Sequence, residues 1–219
     1  MDALKGRWRA DCAPVASSAP VATVDDVGSD LLRRWHEPHR HYHAATHLAE
    51  VLTAVDALCA AGGVGAASRS VAALAAWFHD AVYGVDPAAP NEAESASLAA
   101  RQLERLEVEP ALTARVVTVV LDTASHDLPS AAAADPARDV VHDADLWVLS
   151  APVGRFDEYC TQVRAEYAHV PVALYATART AVLRPFLVRD HVYRTPHARA
   201  EWEPSARENL ARELTRLAS

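Results

Sequence analysis

The sequence predicts an all-α protein, folded as a single-domain bundle of helices. From residue 43 to the C-terminus, apolar residues recur at steps of three and four, which places them on one face of a helix. The alternation of apolar and polar residues that is typical of β-strands is nearly absent from the same stretch. Both observations predict helices packed around a shared apolar core.

Two apolar stripes predict the first two of these helices. The first covers residues 43–59 and ends at the glycine-rich turn of residues 62–65. The second covers residues 70–84 and carries His79 and Asp80 in its middle, beside the core. The stripes consist of Leu48, Val51, Leu52, Val55, Leu58 and Cys59 in the first helix and of Val71, Leu74, Ala75, Phe78 and Val82 in the second.

Further helices are predicted along the rest of the chain. Asn91 is a good N-cap for the third, with Glu94 at capping-box spacing. The apolar run at residues 116–121 fits a helix or a strand, and its helical neighbours favour a helix. Residues 127–138 predict a surface loop before a short helix at residues 143–149. Three more stripes follow, at Phe156, Tyr159, Cys160, Val163 and Tyr167; at Tyr175, Val182, Leu183, Phe186 and Leu187; and at Ala206, Leu210, Leu214 and Leu217, where Pro204 suits the first turn.

The domain organisation follows from the absence of repeats and of an interdomain linker. Residues 25–219 are expected to form the helical domain. Residues 13–22 are rich in Pro, Ser and Ala, so residues 1–24 are predicted to be a short helix and a flexible crossing packed on that same domain. The chain length of 219 residues is sufficient for a substantial core.

Charge and hydropathy exclude several classes of partner. The formal net charge of −8 disfavours binding to nucleic acid polymers and to anionic lipid surfaces. No run of apolar residues approaches the roughly 18 needed to cross a bilayer, and the N-terminus lacks a secretory pattern, so we expect a cytoplasmic protein. The three cysteines, without CxxC spacing, are expected to be core residues. The oligomeric state stays open, and a homodimer is compatible with the sequence.

Histidines and aspartates in apolar surroundings are the candidate ligands. His43 and His47, four residues apart, are expected to share the polar face of one helix, as metal ligands or as ordinary surface residues. His79 and Asp80 lie in an apolar segment where an ionised group needs a partner, which is either a metal ion or the other member of the pair. Asp143 and Asp145 raise the same question, because two carboxylates in an apolar helix disfavour each other's ionisation.

The combined set of imidazole nitrogens and carboxylate oxygens suits a divalent cation. Mn, Fe, Co, Ni and Zn all accept these ligand types, and Mg is bound by them with lower affinity. The sequence therefore predicts a divalent metal ion as cofactor, without fixing which one. A single residue of the set is weak evidence, and the set as a whole is stronger.

Four segments in this order resemble the HD superfamily of metal-dependent phosphohydrolases, and within it a branch of small bacterial predicted phosphohydrolases. The segments are RHYHAATHL, WFHDAVY, NEAESA and HDADLWVL. They resemble a first-histidine motif, a His-Asp doublet, the start of the following helix and a final-aspartate motif. The resemblance extends from about residue 31 to the C-terminus, and it implies a helical bundle of the HD-domain type.

The resemblance also implies roles for individual residues. It places the metal ligands at His47, His79, Asp80 and Asp145. Asp143 takes a supporting place, His43 resembles a residue behind the ligands or at the substrate, and His126 resembles a histidine that faces the substrate phosphate or a second metal. Arg40 and Arg179 are further candidates for binding phosphate, because guanidinium groups match phosphate oxygens.

One position departs from the family pattern. Several nucleotidases of the superfamily carry Glu three residues after the aspartate of the doublet, where this chain has Tyr83. Glu92 is the replacement candidate, whereas Glu94 is explained by capping its own helix. The candidate catalytic residues are therefore Asp80, Glu92 and His126.

The resemblance implies an enzyme that hydrolyses a small phosphorylated substrate, a phosphomonoester or a nucleotide, with a metal-activated water. A catalytically silent module that binds a nucleotide is one alternative, suggested by Tyr83. A di-iron oxygenase of the HD type is another, and it requires additional ligands such as His43, His126 or His142. A helical scaffold without a metal is the simplest alternative.

Overall fold

The computed structural model describes residues 2–86, 88–125 and 135–218, and within these residues all regular structure is helical. The all-α prediction is therefore confirmed for the described chain. None of the described helices is both long and apolar enough to span a bilayer. The helices are α1 Asp2–Cys12, α2 Val21–Trp35, α3 Ala45–Ala61, α4 Ala66–Phe78, α5 Asn91–Arg105, α6 Pro110–Asp122, α7 Pro136–Asp145, α8 Val153–Glu166, α9 Val172–Val188, α10 Pro196–Glu201 and α11 Glu203–Leu217, with a 3₁₀ helix, Leu146–Ser150, after α7.

Helix α4 forms the centre of the bundle. Every residue from 71 to 78 is buried, because helices α1, α3, α5, α6 and α7 all pack against α4. On the other side of α7, helix α11 packs against both the 3₁₀ helix and α9. The beginning of α3, the end of α4 and the end of α7 meet inside the bundle.

Helices α1 and α2 extend the same core toward the N-terminus. Trp8 of α1 is buried against α2, where its indole Nε1 donates a hydrogen bond to the carbonyl of Val24 at 2.7 Å. A Cβ atom at Gly28 would lie 2.3 Å from the Trp8 ring, so this close approach requires glycine. The sequence analysis did not predict α2, and the boundary set after residue 24 falls inside this helix.

Several boundaries after residue 100 differ from the predictions. The apolar run at residues 116–121 lies in a helix, α6, as favoured. The short helix predicted at residues 143–149 is instead the end of α7 followed by the 3₁₀ helix. Helix α10 was not predicted, whereas Pro204 does lie in the first turn of α11. Part of the predicted loop at residues 127–138 lies outside the described residues.

The start of α3 and the end of α4 were predicted wrongly, and both errors concern candidate ligands. Helix α3 begins at Ala45, so His43 lies before the helix rather than one turn earlier within it. Helix α4 ends at Phe78 rather than near Gly84, so His79 and Asp80 lie in the turn that follows. Contacts with distant parts of the chain fix both ends, as described below.

Candidate metal centre and its cavity

Three helix ends bring the predicted ligands together. His47 lies in the first turn of α3, His79 and Asp80 directly follow α4, and Asp145 is the last residue of α7. His47 is buried beside Val51, on the core face of α3, whereas the sequence analysis placed it opposite the apolar stripe. We call His47, His79, Asp80 and Asp145 the candidate metal group.

The side chains of this group lie close together, and both carboxylates approach the two imidazole nitrogens. The Nε2 atoms of His47 and His79 lie 3.2 Å apart. Asp145 Oδ1 lies 3.1 Å from Nε2 of His47 and 3.5 Å from Nε2 of His79. Asp80 Oδ2 lies 3.9 Å and 3.3 Å from the same two nitrogens. His47, His79 and Asp80 form a set that could hold a metal ion, with one ligand atom of each within 4.8 Å of the others.

The orientation of His79 suits a ligand role. Its Nδ1 lies 2.9 Å from the carbonyl oxygen of Ala76, and a carbonyl can only accept, so Nδ1 carries a proton. In the neutral ring, the lone pair is then on Nε2, which faces His47 and both carboxylates. The indole of Trp35 packs against the His79 ring at a centroid distance of 5.5 Å and holds the ring in place.

The carboxylates create an electrostatic environment that favours a cation. Burial by itself lowers the pKa of His79, but Asp80 and Asp145 outweigh burial and raise this pKa well above its usual value. Burial lowers the pKa of His47 although the Asp145 carboxylate can accept a hydrogen bond from its ring. Burial opposes the charge of Asp80, yet the charge of His79 holds its pKa far below the usual range. The group thus stabilises positive charge at its centre.

Glu166, at the end of α8, is a functional candidate that the sequence analysis missed. Its Oε1 accepts hydrogen bonds from the backbone N–H groups of residues 41, 42 and 43 at 2.8–2.9 Å. Its Oε2 accepts from the hydroxyl of Tyr83 at 2.8 Å and lies 2.7 Å from Nδ1 of His43. We call Glu166, His43, Tyr83 and residues 41–42 the Glu166 cluster; it fixes the chain just before α3, which explains where this helix begins.

These donors stabilise the ionised form of Glu166. Burial opposes ionisation, but the His43 ring and the N–H groups of residues 41 and 43 outweigh it and lower the pKa of Glu166 to about 2. Burial and the neighbouring Glu166 raise the pKa of Tyr83 far above its usual value. Tyr83, three residues after Asp80, therefore remains a protonated donor. The rings of His43 and Tyr83 are stacked, with their centroids 4.2 Å apart.

Arg40 holds the turn that contains Asp80. Its side chain is fully buried, and its Nη atoms donate to the carbonyls of His43, Asp80 and Ala81 at 2.7–3.2 Å. These bonds satisfy carbonyl groups just after α4 and join this turn to the segment before α3. Arg40 was predicted to bind substrate, but its guanidinium is committed to these carbonyls and to the Glu37 carboxylate, to which its Nε donates at 3.1 Å, which is the arrangement of a positioning residue.

Two polar residues of α5 fix the chain between α4 and α5. The side chain of Asn91 accepts from the N–H of Gly84 at 3.1 Å and donates to its carbonyl at 2.8 Å. Ser95 bonds in the same way to the N–H and the carbonyl of Val82. Asn91 was predicted as the N-cap of its helix; the cap is instead Pro90, and the Asn91 side chain is used to anchor this turn.

Asp143 supports the site from behind. Its carboxylate accepts from the backbone N–H groups of Arg194 and Thr195 at 2.7–3.0 Å and lies 2.8 Å from Nδ1 of His142. Asp143 therefore ties α7 to the segment before α10, in agreement with a supporting place. His142 faces Asp143 through Nδ1. The set of possible metal ligands found among the described residues contains His47, His79 and Asp80, and it includes neither His142, Asp143 nor Asp145.

A cavity of about 640 Å³ opens onto the candidate metal group. Asp80 and Asp145 reach its wall, as do the side chains of His43, Glu92 and Arg179. Its remaining polar and aromatic lining includes Tyr42, Tyr83, Asn91, Thr123, Ser125, Tyr159, Tyr167, Tyr175 and Arg189. His126 lies outside the described residues, and Arg40 is not part of the wall. A cavity of this size suits a small organic molecule.

Comparisons with protein-family models, with curated proteins and with solved structures found no match to this chain.

Proposed function

We propose that this protein is a metal-dependent phosphohydrolase that acts on a small phosphomonoester or nucleotide, in a domain of the HD type. One observation carries the proposal: the imidazoles of His47 and His79 and the carboxylates of Asp80 and Asp145 converge at the end of a cavity large enough for such a substrate. The order of the four sequence motifs, three of which contain these residues, supports it further.

The geometry of the group fits a divalent metal ion. Donors about 2.1 Å from a metal lie about 3.0 Å apart in octahedral and about 3.4 Å apart in tetrahedral coordination. The five separations between imidazole nitrogens and their neighbours range from 3.1 to 3.9 Å. Two nitrogen and two oxygen donors suit Mn, Fe, Co, Ni or Zn, with Mg bound more weakly.

A bound divalent ion supplies a water of lowered pKa and polarises a phosphoryl oxygen. In the hydrolysis, the water oxygen forms a bond to phosphorus while the bond to the leaving oxygen breaks. One proton of the water is lost and one proton reaches the leaving group. His47 and His79 form the buried back of the site, whereas Asp80 and Asp145 extend to the cavity, where the substrate binds.

The proton transfers need a group that changes its protonation state near the substrate. Glu92 lies on the cavity wall in the first turn of α5, and we propose it as the general acid or base. His126 remains a second candidate. Tyr83 takes no such role, because its hydroxyl proton is held by Glu166. His43 also lines the cavity, positioned by Glu166, and is a further candidate for contacting the substrate.

The test is a phosphate-release assay against phosphomonoesters and nucleotides, with the protein loaded in turn with each candidate metal ion. We expect Asp145→Asn to lower kcat/KM by at least about 100-fold, because it removes a charged ligand. Asp139→Asn is the matched control, since Asp139 lies on the same helix but not on the cavity wall, and it should retain activity.

Full activity of Asp145→Asn would contradict the proposed centre. Substrate binding without phosphate release in the wild-type protein would favour the silent nucleotide-binding module instead. Two bound irons together with oxygen consumption would favour the oxygenase.

A further inference from the structure

Arg179 lies in the middle of α9, on the part of the cavity wall that is separated from the candidate metal group by two tyrosine rings. Tyr42 packs on the His47 ring at a centroid distance of 4.6 Å, and Tyr159 packs on Tyr42 at 4.5 Å. The Arg179 guanidinium lies over the Tyr159 ring at 5.0 Å.

The hydrogen bonds of Arg179 leave its charge without an anionic partner in the described part of the chain. One Nη atom donates to the hydroxyl of Tyr159. Its Nε is buried and has no hydrogen-bond partner among the described residues. The buried Glu213 lies in the same region but pairs with Arg216, at 3.4 Å. A guanidinium that is partly desolvated without a carboxylate is a favourable site for an anion.

Much of the lining of the cavity shared by Arg179 and the metal group is apolar. It is formed by Leu146, Val148, Leu149, Val163, Val182, Leu183, Pro185 and Phe186, together with the tyrosine rings. Such a surface contacts the carbon skeleton of a ligand rather than a chain of charged groups. The cavity therefore combines a group that could bind a cation, an extensive apolar lining and the cationic side chain of Arg179.

We propose that the substrate is a phosphate monoester whose organic leaving group carries a second anionic group, a carboxylate or a phosphate, and that Arg179 binds this second group. The proposal rests on the proposed function, because it assigns the first phosphate to the metal end. The apolar wall then holds the carbon skeleton between the two anions. Arg179 determines specificity in this arrangement and does not touch the reacting phosphorus.

The experiment is calorimetric binding, which does not depend on turnover. The probes are linear alkyl phosphonates in a series of chain lengths, each compared with its ω-carboxy and ω-phosphono derivatives of equal length, in the presence of Mn²⁺. We expect at least one doubly anionic probe to bind the wild-type protein about tenfold or more tightly than its singly anionic counterpart, the gain of one charged hydrogen-bonded pair. Whichever derivative gains more affinity over the plain alkyl phosphonate, the ω-carboxy or the ω-phosphono one, identifies the second group as carboxylate or phosphate.

Variants assign the effect to this arginine. Arg179→Gln should remove the preference and leave the binding of the plain alkyl phosphonates unchanged, whereas Arg179→Lys should retain part of it. Arg212→Gln is the matched control: Arg212 also stacks on an aromatic ring, at 5.4 Å over Phe156, and also has a buried Nε without a partner, but it pairs with Asp157 and does not line the cavity. The Arg212→Gln variant should keep the full preference for doubly anionic probes.

Two outcomes would overturn the proposal. One is equal binding of singly and doubly anionic probes at every chain length in the wild-type protein, a result that needs no variant. The other is an unchanged preference in Arg179→Gln. A protein that shows the Arg179-dependent preference yet releases no phosphate from any ester would retain the anion site while contradicting the proposed hydrolysis, so the two failures are distinguishable.

Discussion

Two clusters of histidine and acid lie side by side in this protein, and they satisfy their charges in different ways. In the Glu166 cluster, one carboxylate accepts from three backbone N–H groups and one hydroxyl and contacts one imidazole, all within 2.9 Å. In the candidate metal group, two imidazole nitrogens face each other at 3.2 Å, with two carboxylates around them. Two ring nitrogens at this distance need a proton or a cation between them.

The comparison shows how to separate a structural cluster from a ligand site when both are buried and both contain histidine. A carboxylate that is surrounded by donors is complete without a further partner, and it stabilises the fold. Donor atoms of several side chains that point to a common centre gain most from a cation at that centre. The Glu166 cluster should therefore govern stability, and the candidate metal group should govern metal binding.

The largest effect on stability is expected for Glu166→Ala. This substitution leaves three N–H groups and the Tyr83 hydroxyl without their acceptor, which costs about 3–5 kcal/mol of unfolding free energy. Glu158→Ala, on the exposed face of the same helix, is the control and should change stability by less than about 1 kcal/mol. Urea unfolding measures both, and equal losses in the two variants would contradict the assigned role of Glu166.

The free energy of unfolding at acidic pH should also show the contribution of Glu166. The pKa of Glu166 is about 2 in the folded protein and 4.5 ordinarily, so its charged form favours the folded state. Its contribution, on the order of 3 kcal/mol, is complete above about pH 4.5 and is lost as the pH falls toward 2. Urea unfolding at several acidic pH values should show this loss in the wild type and a shallower one in Glu166→Gln. Parallel profiles would argue against it.

The response of the Tm to a chelator should depend on the candidate metal group and not on the Glu166 cluster. A metal ion present at 100 times its Kd stabilises the folded protein by about 2.7 kcal/mol, so a chelator should lower the Tm of the wild type. The Glu166→Gln variant should show the same drop, because its ligands are intact. Asp80→Asn should show little or none. A Tm that does not respond to chelation in metal-loaded wild type would contradict metal binding by the folded state.

The smallest effect is expected for Tyr83→Phe. The substitution removes one of the donors to Glu166 and leaves the ring stacked on His43, so unfolding free energy should fall by about 1 kcal/mol. Metal content and phosphate release should stay close to the wild type, since the hydroxyl is not used as a base. A loss of phosphate release with metal content unchanged would make Tyr83 a catalytic candidate.

Most helices with strong apolar spacing were predicted, and two helices were missed. Helix α2 has apolar residues at helical spacing, Val27, Leu31 and Trp35, but its first turn follows a stretch rich in Pro, Ser and Ala, so residues up to 24 were interpreted as a crossing and no helix was predicted directly after them. Helix α10 has only six residues, too few for a periodic pattern to show. The apolar run of α6 allowed two interpretations, and only packing against α4 and α5 decides between them.

The positions of the candidate ligands could be predicted from motifs, but their local structure could not. Glu166 binds the backbone before α3 from more than 120 residues away, and Arg40 binds the carbonyls after α4 from about 40 residues away. Nothing near His43 or His79 in the sequence reports these contacts. Glu166 itself stands in an ordinary amphipathic helix, so no local signal distinguishes it from a surface residue.

The most direct test of the account is the metal content of the purified protein, with an anomalous-scattering map to locate any ion. We expect a divalent ion between the side chains of His47, His79, Asp80 and Asp145, and a loss of bound metal in His79→Ala and Asp80→Ala, with Asp139→Asn unchanged. Metal content that is equal in all four proteins, or an ion located elsewhere, would contradict the proposed centre.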